Sequence, residues 1–291
     1  MIRVHVAKHS GFCFGVKRAM NIIDEVAKNG KKKPIYTLGP IIHNPQTVDK
    51  LKERGVTPLE DVNDINEGTV VLRTHGVEKR FLESLKKSNL DVIDATCPFV
   101  SRAQDYVKKL KENGYNVIII GENNHPEVLA LKSQVSGAIV IENGDEISKI
   151  KSLKGSKVGI VSQTTQSIEN FKGLVCLIMD YFKEVLVINT ICNATSQRQE
   201  SAIALAGKVD LMLIVGGKNS GNTKRLYTLC KRIAKHTHHI ETAKEIKKSM
   251  LRNVKNVGIA AGASTPDWIV NDVKTNIKKI YKEELKNDRK R

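Results

Sequence analysis

One arrangement occurs three times along this chain of 291 residues, and it constrains the fold more than any other feature of the sequence. Each time, a cysteine stands where an apolar, strand-like run gives way to apolar residues spaced at three and four positions, which is typical of a helix. These cysteines are Cys13, Cys97 and Cys192, and they lie 84 (97 − 13) and 95 (192 − 97) residues apart. Self-similarity at such a period indicates a repeated architecture. The sequence therefore predicts three consecutive units of similar fold.

The same order of elements follows each cysteine helix. An apolar strand ends at a glycine (Gly39, Gly121 or Gly216), and a polar loop and a helical pattern come next. A further strand, a second polar loop and another helical pattern then complete the repeat. Because strands and helices alternate through short loops, the pattern predicts parallel sheets covered by helices, with right-handed crossovers. We predict an α/β fold of three sequential parallel-sheet units in a pseudo-threefold arrangement around a central site.

The cysteines also mark the predicted unit boundaries. We expect unit 1 at 13–96, unit 2 at 97–191 and unit 3 at 192–281. The N-terminal strand in 1–12 would join unit 3, whose last helix is followed by no strand, and 282–291 form a charged tail. In open parallel sheets the loops at the carboxyl ends of the strands carry the site. We therefore expect the cysteines and the polar loops at equivalent edges of the three units.

Composition limits the class of protein. A hydrophobic fraction of 40% is ordinary for a globular chain, and no apolar run reaches the roughly 18 residues that cross a bilayer. Five cysteines, an odd number without a secretory signal, argue against a disulfide framework and favour a cytoplasmic protein with reduced thiols. Cys176 and Cys230 lie away from the strand-to-helix junctions, and we predict that they are small buried hydrophobic residues.

The formal net charge of +17 favours an anionic partner. Nucleic acid, a phosphorylated small molecule and an acidic protein all satisfy it, and charge alone does not choose among them. Part of the charge stands in the run at 31–33 and in the C-terminal tail, where it mainly solvates the surface.

The three repeated cysteines point to a metal centre. A thiolate at a helix N-terminus is stabilised by the helix dipole, which prepares it to bind a metal. Three such ligands around a threefold axis match a 4Fe-4S cluster whose fourth iron has no protein thiolate. An open coordination position is typical of a catalytic site. Gly11 and Gly15 would let the backbone pass close to the cluster, while Phe12 and Phe14 would exclude water.

Three alternatives remain at this point. Tetrahedral zinc with three cysteines and a histidine is the main metal alternative, although the chain has no C-x-x-C pair. A basic nucleic-acid-binding protein with structural zinc would need aromatic stacking platforms, yet aromatic residues make up 4% of the chain. A simple iron-sulfur electron carrier would have no need for loops rich in His, Ser, Thr and Asn.

Nine short segments in order carry a resemblance to a known family. They are Gly11-Phe12-Cys13-Phe14-Gly15-Val16, His43-Asn44, Thr74-His75-Gly76, Asp94-Ala95-Thr96-Cys97-Pro98, His125-Pro126-Glu127-Val128, Gln163-Thr164-Thr165, Asn189-Thr190-Ile191-Cys192-Asn193-Ala194-Thr195, Lys218-Asn219-Ser220 and Ala261-Gly262-Ala263-Ser264. Together they resemble the 4-hydroxy-3-methylbut-2-enyl diphosphate reductases, over about residues 3 to 280. The resemblance implies the last step of the non-mevalonate isoprenoid pathway, a two-electron reductive dehydroxylation that yields isopentenyl and dimethylallyl diphosphates.

The resemblance also implies roles for individual residues. The cysteines of the three junctions would be the ligands of a 4Fe-4S cluster. Glu127 would donate a proton, with Thr164 beside it in a relay and His125 placed to assist. The implied substrate-binding residues are His43, His75, His125, Thr164, Ser220, Asn222 and Ser264. An acidic electron donor such as a ferredoxin or flavodoxin is the implied protein partner, without nucleic acid or membrane.

Two departures from the family pattern affect loops. Gly221 stands where many relatives have a second serine, which leaves a backbone amide in place of one hydroxyl. Around His125, the segment Asn123-Asn124 replaces the commoner glycine before the histidine, and this changes the expected shape of the loop.

Overall fold

The computed structural model describes residues 2–28, 33–61, 63, 65–153 and 157–288, with side chains to residue 283. The end of the charged tail, 289–291, and most of the basic run at 31–33 thus lie outside the described residues. Within them, no helix is both long and apolar enough to cross a membrane.

Twelve strands and nine α-helices are found in this part of the chain. The strands are β1 (Arg3–Val6), β2 (Ile35–Leu38), β3 (Val56–Leu59), β4 (Thr69–Leu72), β5 (Asp91–Asp94), β6 (Asn116–Ile120), β7 (Ile139–Ile141), β8 (Val158–Ser162), β9 (Val185–Val187), β10 (Leu211–Val215), β11 (Thr237–Ile240) and β12 (Asn256–Ala261). The helices are α1 (Phe14–Lys28), α2 (Pro45–Glu53), α3 (Lys79–Lys86), α4 (Pro98–Glu112), α5 (Pro126–Lys132), α6 (Ile168–Met179), α7 (Asn193–Ala206), α8 (Gly221–Lys231) and α9 (Asp267–Asp288). Short 3₁₀ helices lie at Gly144–Leu153, Ala243–Glu245 and Lys248–Leu251.

The strands form three four-stranded sheets with the same internal order. Their orders are β3-β2-β4-β5, β7-β6-β8-β9 and β11-β10-β12-β1, and every pairing is parallel. In the third sheet the N-terminal strand β1 stands beside β12, in the place that β5 and β9 take in the other two. The predicted α/β class with three parallel sheets is confirmed.

The chain divides into two compact units. The larger unit, Phe14–Ile42 and Gln46–Cys192, holds the sheets of β2 to β5 and β6 to β9. The smaller unit comprises Met1–Cys13, His43–Pro45 and Asn193–Arg291, and it holds the third sheet. The boundaries predicted for three units stay a prediction.

In the smaller unit, the central strand β10 distributes its residues between two cores. Leu213 packs in one apolar cluster with residues of α9 such as Val273, whereas Ile214 packs in another with Ala202 of α7 and Leu226 of α8. Successive residues of a strand point to opposite faces of the sheet. A strand with helices on both faces must therefore be apolar throughout, and every residue of β10 is buried.

The second sheet, in the larger unit, follows the same rule. Ile119 of β6 packs with Val107 of α4, while Ile118 packs with Phe171 and Leu174 of α6 on the opposite face. The inner strands are thus enclosed by helices on both faces of the sheet. The loops that leave the carboxyl ends of these strands therefore begin at buried, well-packed residues.

The sequence pattern identified the inner strands better than the edge strands. β2, β6 and β10 end directly before Gly39, Gly121 and Gly216, as predicted, whereas β3, β7 and β11 were not predicted. These edge strands have only three or four residues; β3 contains Pro58 and β11 contains two histidines. An edge strand is half exposed and tolerates proline, so its sequence carries little apolar signal.

Candidate active site

The three repeated cysteines have the same backbone environment. Cys97 is the N-cap residue of α4, and Cys13 and Cys192 immediately precede α1 and α7. The amide N–H of each cysteine donates to a carbonyl that lies two residues beyond the end of an inner strand. The pairs are Cys13 to Ala263 at 3.1 Å, Cys97 to Thr74 at 3.0 Å and Cys192 to Thr164 at 3.0 Å. The repeat seen in the sequence therefore extends to individual hydrogen bonds.

The surroundings of these cysteines fit a soft metal centre. None of the three is in a disulfide, and each is a residue of intermediate exposure. A Cβ atom added at Gly15 would lie 2.5 Å from the Sγ of Cys97, which shows that this glycine leaves the space beside the sulfur open. Thiolates at helix N-termini are ligands that iron-sulfur clusters prefer. Phe14, however, is 64% exposed, so the expectation that it excludes water is wrong.

The other two cysteines differ from each other. Cys230 is completely buried in the apolar core between α7 and α8, and burial raises the pKa of its thiol to about 12. This agrees with its predicted role as a small hydrophobic residue. Cys176 lies on the exposed side of α6, so the prediction of a buried side chain is wrong there. The apolar residues around Cys176 belong to α6, a helix that buries one face and exposes the other.

Glu127 is the most unusual ionisable residue of the larger unit. It is the second residue of α5, it is only 1% exposed, and both carboxylate oxygens are bonded by Thr164. The amide N–H of Thr164 donates to Oε1 at 2.5 Å, and its hydroxyl donates to Oε2 at 2.9 Å. Loss of solvation raises the pKa of Glu127 to about 7, against the opposing effect of these two hydrogen bonds. The group can therefore bind or release a proton near neutral pH.

His125 closes the N-terminal end of α5. Its Nδ1 atom accepts a hydrogen bond of 3.1 Å from the amide N–H of Glu127, so the ring acts as the helix cap. An accepting Nδ1 places the remaining ring proton of the neutral imidazole on Nε2. The ring of His75 lies edge-on to that of His125, with 5.5 Å between the ring centroids. Capping and a functional role are thus compatible for this histidine.

The smaller unit contains a second group of predicted residues, at the start of α8. Ser220 is the N-cap of this helix, and its side chain accepts from the amide of Thr223 at 3.4 Å. Asn222 is 3% exposed, and both polar atoms of its side chain are buried without a hydrogen-bond partner among the described residues. A buried amide normally has partners. Asn222 is therefore a candidate for binding a ligand through its side-chain amide.

His43 and Ser264 meet in the same unit. The hydroxyl of Ser264 donates to the carbonyl oxygen of His43 at 3.0 Å. A Cβ atom added at Gly217 would come within 2.6 Å of that same carbonyl, so glycine is needed for the close approach of the two backbones. The loop before α8 and the segment at His43 are packed backbone to backbone.

The structure thus places the predicted residues in two groups, one in each compact unit. The larger unit holds Cys97, Cys192, His75, His125, Glu127 and Thr164, and the smaller unit holds Cys13, His43, Ser220, Asn222 and Ser264. Within each group the residues lie at or beyond the carboxyl ends of parallel strands, the edge at which α/β sheets bind ligands.

Two arginines with contacts to the cysteine segments were missed by the sequence analysis. Arg198 is 4% exposed, and its guanidinium donates to the carbonyl of Gly11 at 2.8 Å. Arg18 donates to the carbonyl of Thr96 at 3.0 Å, directly before Cys97. The sequence did contain a pattern that could have identified them, because an arginine stands five or six residues after each repeated cysteine. The arginine that follows Cys97 is Arg102, and its guanidinium lies over the ring of Tyr106.

Comparisons with known proteins identify the family. The model of the LytB protein family matches residues 4–278. The 4-hydroxy-3-methylbut-2-enyl diphosphate reductase of Aquifex aeolicus is 50% identical over 290 residues, covering 98% of this chain and 99% of the relative. The reductase of the same name from Geotalea uraniireducens is 46% identical over 283 residues, with 97% and 99% covered.

Solved structures agree with the sequence relatives. One of (E)-4-hydroxy-3-methyl-but-2-enyl diphosphate reductase, the terminal enzyme of the non-mevalonate pathway, matches with a TM-score of 0.70 and 48% identity, over 96% of this chain and all of that one. The E-1-hydroxy-2-methyl-but-2-enyl-4-diphosphate reductase from Plasmodium falciparum has a TM-score of 0.89 and 29% identity, over 95% of this chain and 87% of that one. The resemblance carried by the sequence motifs is confirmed, and the chain belongs to the LytB family of 4-hydroxy-3-methylbut-2-enyl diphosphate reductases.

Proposed function

We propose that this chain catalyses the reductive dehydroxylation of 4-hydroxy-3-methylbut-2-enyl diphosphate to isopentenyl diphosphate and dimethylallyl diphosphate, the final step of the non-mevalonate pathway. The reaction consumes two electrons and two protons. The bond between the allylic carbon and the hydroxyl oxygen breaks, the oxygen leaves as water, and the carbon skeleton gains one hydrogen. The observation that carries the proposal is Glu127, a fully buried carboxyl group with a pKa of about 7.

Cys13, Cys97 and Cys192 would hold the cofactor, a 4Fe-4S cluster with three cysteine ligands. When bound, the cluster supplies the electrons and, at the iron that has no cysteine ligand, a Lewis acid. The chain contributes three partly exposed cysteine residues with equivalent backbone amide hydrogen bonds. Thiolate ligation needs reduced cysteines, which suits a cytoplasmic location.

Glu127 would protonate the departing hydroxyl group. A hydroxide ion is a poor leaving group, so an acid within reach lowers the barrier. With a pKa of about 7, a substantial fraction of Glu127 carries its proton at neutral pH. The hydroxyl of Thr164, 2.9 Å from Oε2, fixes the carboxyl group and can pass a proton to it. His125 caps the helix through Nδ1, so in its neutral form the ring proton is on Nε2, which is the donor atom we propose.

The diphosphate would be bound by helix N-termini and neutral donors. Ser220 and Asn222 stand at the first turn of α8, where free amide groups and the helix dipole favour an anion. The buried amide of Asn222 offers donors that no described residue uses. His43, His75 and Ser264 complete the proposed set of donors. Gly221, in place of a serine, contributes its backbone amide only.

An acidic protein such as a ferredoxin or flavodoxin would deliver the electrons. The net charge of +17 favours such a partner by long-range attraction. Because salt screens this attraction, turnover with the protein donor should fall steeply as ionic strength rises, while turnover with a small uncharged reductant should change little. Equal salt dependence with both donors would contradict docking by charge.

The function is tested with the intact chain purified without oxygen. We expect a coloured protein with about four iron and four sulfide per chain, and formation of both C5 diphosphates when substrate and reductant are added. Iron, sulfide and zinc analysis distinguish the iron-sulfur enzyme from a zinc protein. A colourless zinc protein, or an intact cluster without any conversion of the diphosphate, would overturn the proposal.

A further inference from the structure

Two loops of the repeat share one pattern of backbone hydrogen bonds. They are the loop from Gly121 to His125, which leads to Glu127, and the loop from Gly216 to Ser220, which leads to Asn222. The amide of the fifth residue donates to the carbonyl of the second in both, at 3.1 Å in the first loop and 3.0 Å in the second. In both, the amide of the first glycine donates to the last carbonyl of the edge strand, at 3.1 and 2.9 Å. The loops are structural equivalents in the two units.

A pair of glutamates follows the edge strand beside each loop. Glu142 comes directly after β7 and Glu241 directly after β11, and a second glutamate stands four residues later in both. An oxygen of Glu142 accepts from the amide of Asn123 at 3.2 Å, and an oxygen of Glu241 accepts from the amide of Lys218 at 2.7 Å. Asn123 and Lys218 are both the third residue of their loop.

The second glutamates repeat the same contacts. Glu146 accepts from the amide of Glu142 at 2.8 Å and from the side-chain amide of Asn123 at 3.0 Å. Glu245 accepts from the amide of Glu241 at 2.7 Å and from Nζ of Lys218 at 3.0 Å. For both second glutamates, burial opposes ionisation, but their hydrogen bonds bring the pKa below the ordinary glutamate value. Both are therefore ionised acceptors at neutral pH.

We infer that each glutamate pair acts as a clamp that positions one functional loop. Glu142 and Glu146 position the loop that leads to Glu127. Glu241 and Glu245 position the loop that leads to Asn222. The inference rests on the proposed function, since it assigns these loops to proton donation and to diphosphate binding. Among the described residues only Glu146 and Glu245 of the two pairs are ion-paired, with Lys149 and Lys218, so each pair adds net negative charge beside a loop that serves an anionic substrate, and such charge repels that substrate. The presence of these pairs in both repeats therefore favours a positioning role over contact with the substrate.

In the first repeat Glu60 stands directly after β3, in the place of Glu142 and Glu241, but among the described residues the loop is held by another contact. There the third loop residue is Ile41, and its carbonyl accepts from the amide and hydroxyl of Thr74 at 3.2 and 3.0 Å. Its amide is not bonded by a glutamate among the described residues. Six residues after its glycine, each clamped loop has a buried polar residue, Glu127 or Asn222, whereas the residue six positions after Gly39 is Pro45, the first residue of α2. The clamp accompanies the loops that bear a functional side chain at that position.

The test makes the same substitution in both clamps and compares kinetics. Glu142→Ala should lower kcat about tenfold with KM nearly unchanged, because it displaces the proton donor. Glu241→Ala should raise KM about tenfold with kcat nearly unchanged, because it displaces a binding loop. Glu142→Gln and Glu241→Gln keep an oxygen acceptor and should restore most of the lost activity. Glu112→Ala, at the far end of α4, is the control and should behave as wild type.

Hydrogen exchange gives a readout that does not depend on turnover. In the alanine variants the amides of Asn123 and Lys218 should exchange at least about tenfold faster, each only in its own variant. Wild-type exchange rates in both variants, or one common kinetic defect in both, would overturn the inference. If the wild-type chain does not convert the diphosphate, the proposed function fails, and exchange alone then decides whether the clamps exist. Melting temperatures identify a variant that is merely unfolded; Glu146→Ala or Glu245→Ala, which removes the second glutamate of the same clamp, then replaces that variant in the comparison.

Discussion

Glu127 and Asn222 occupy the same position in two repeats. Each lies six residues after the glycine that ends an inner strand, at the second residue of the following helix, and each is almost fully buried. Their surroundings differ. Both oxygens of Glu127 are bonded by Thr164, whereas no described residue bonds the side chain of Asn222. The same position of the repeat therefore holds a carboxyl group in one unit. In the other unit it holds a side-chain amide that no described residue bonds.

The cause of the difference lies one strand away. Thr164 stands two residues beyond the end of β8, and the residue at the same place after β12 is Ala263. Alanine has no hydroxyl to offer, so a carboxyl group at position 222 would lack the donor that Glu127 has. An uncharged amide there also avoids repulsion of an anion. The position in the repeat thus determines where a functional side chain lies. The residue two positions beyond β8 or β12, Thr164 or Ala263, determines which chemistry that side chain can perform.

The largest effect is expected when Glu127 is made to resemble Asn222. Glu127→Gln keeps an oxygen to accept from the amide of Thr164, but it has no acidic proton. We expect kcat to fall about a thousandfold with KM within about threefold, since general acid catalysis contributes factors of that size. Steady-state kinetics with an intact cluster measures this. Glu122→Gln in the same loop is the matched control, and normal turnover of Glu127→Gln would disprove the assignment of the proton donor.

The reverse exchange should damage binding rather than chemistry. Asn222→Asp puts a carboxyl group where we propose that the diphosphate binds, and we expect KM to rise about a hundredfold from like-charge repulsion. Burial raises the pKa of such a carboxyl group, so KM should recover as the pH is lowered. Asn219→Asp adds the same charge at an exposed position of the same loop and should change KM little. An unchanged KM in Asn222→Asp would remove this residue from the substrate site.

The sequence identified Glu127 and Asn222 as site residues, but it did not predict the contacts that distinguish their surroundings. The apolar inner strands and the cysteine junctions were visible because they are local patterns with a period. The bond from Arg198 to Gly11 joins residues 187 apart in the chain, and no local pattern carries it. Glu142 and Glu241 follow short edge strands and look like ordinary surface charges. Phe14 was expected to exclude water from the cluster, yet its exposure depends on tertiary packing that no local pattern shows.

The smallest effect is expected when Thr164, the hydrogen-bond partner of Glu127, is changed and Glu127 itself is kept. Thr164→Val removes the hydroxyl hydrogen bond to Glu127 and leaves the amide hydrogen bond. The variant then resembles the third repeat, in which Ala263 stands at this place and has no hydroxyl group. Hydrogen bonds to the carboxylate lower its pKa, so the pKa of Glu127 should rise above its present value of about 7. The protonated form is the active one. The loss of activity with rising pH should therefore move to higher pH, while the maximal rate falls about tenfold because the carboxyl group is held less firmly.

Thr74→Val is the matched control for this change. Thr74 has the same place after β4, but its hydroxyl donates to the carbonyl of Ile41 at 3.0 Å and not to a carboxylate. Its loss should leave the pH profile where it is. A profile of Thr164→Val that stays in place or moves to lower pH would mean that Thr164 does not set the acidity of Glu127. The two repeats would then differ in the residue at the helix position alone, and the partner beyond the next strand would have no part in the chemistry.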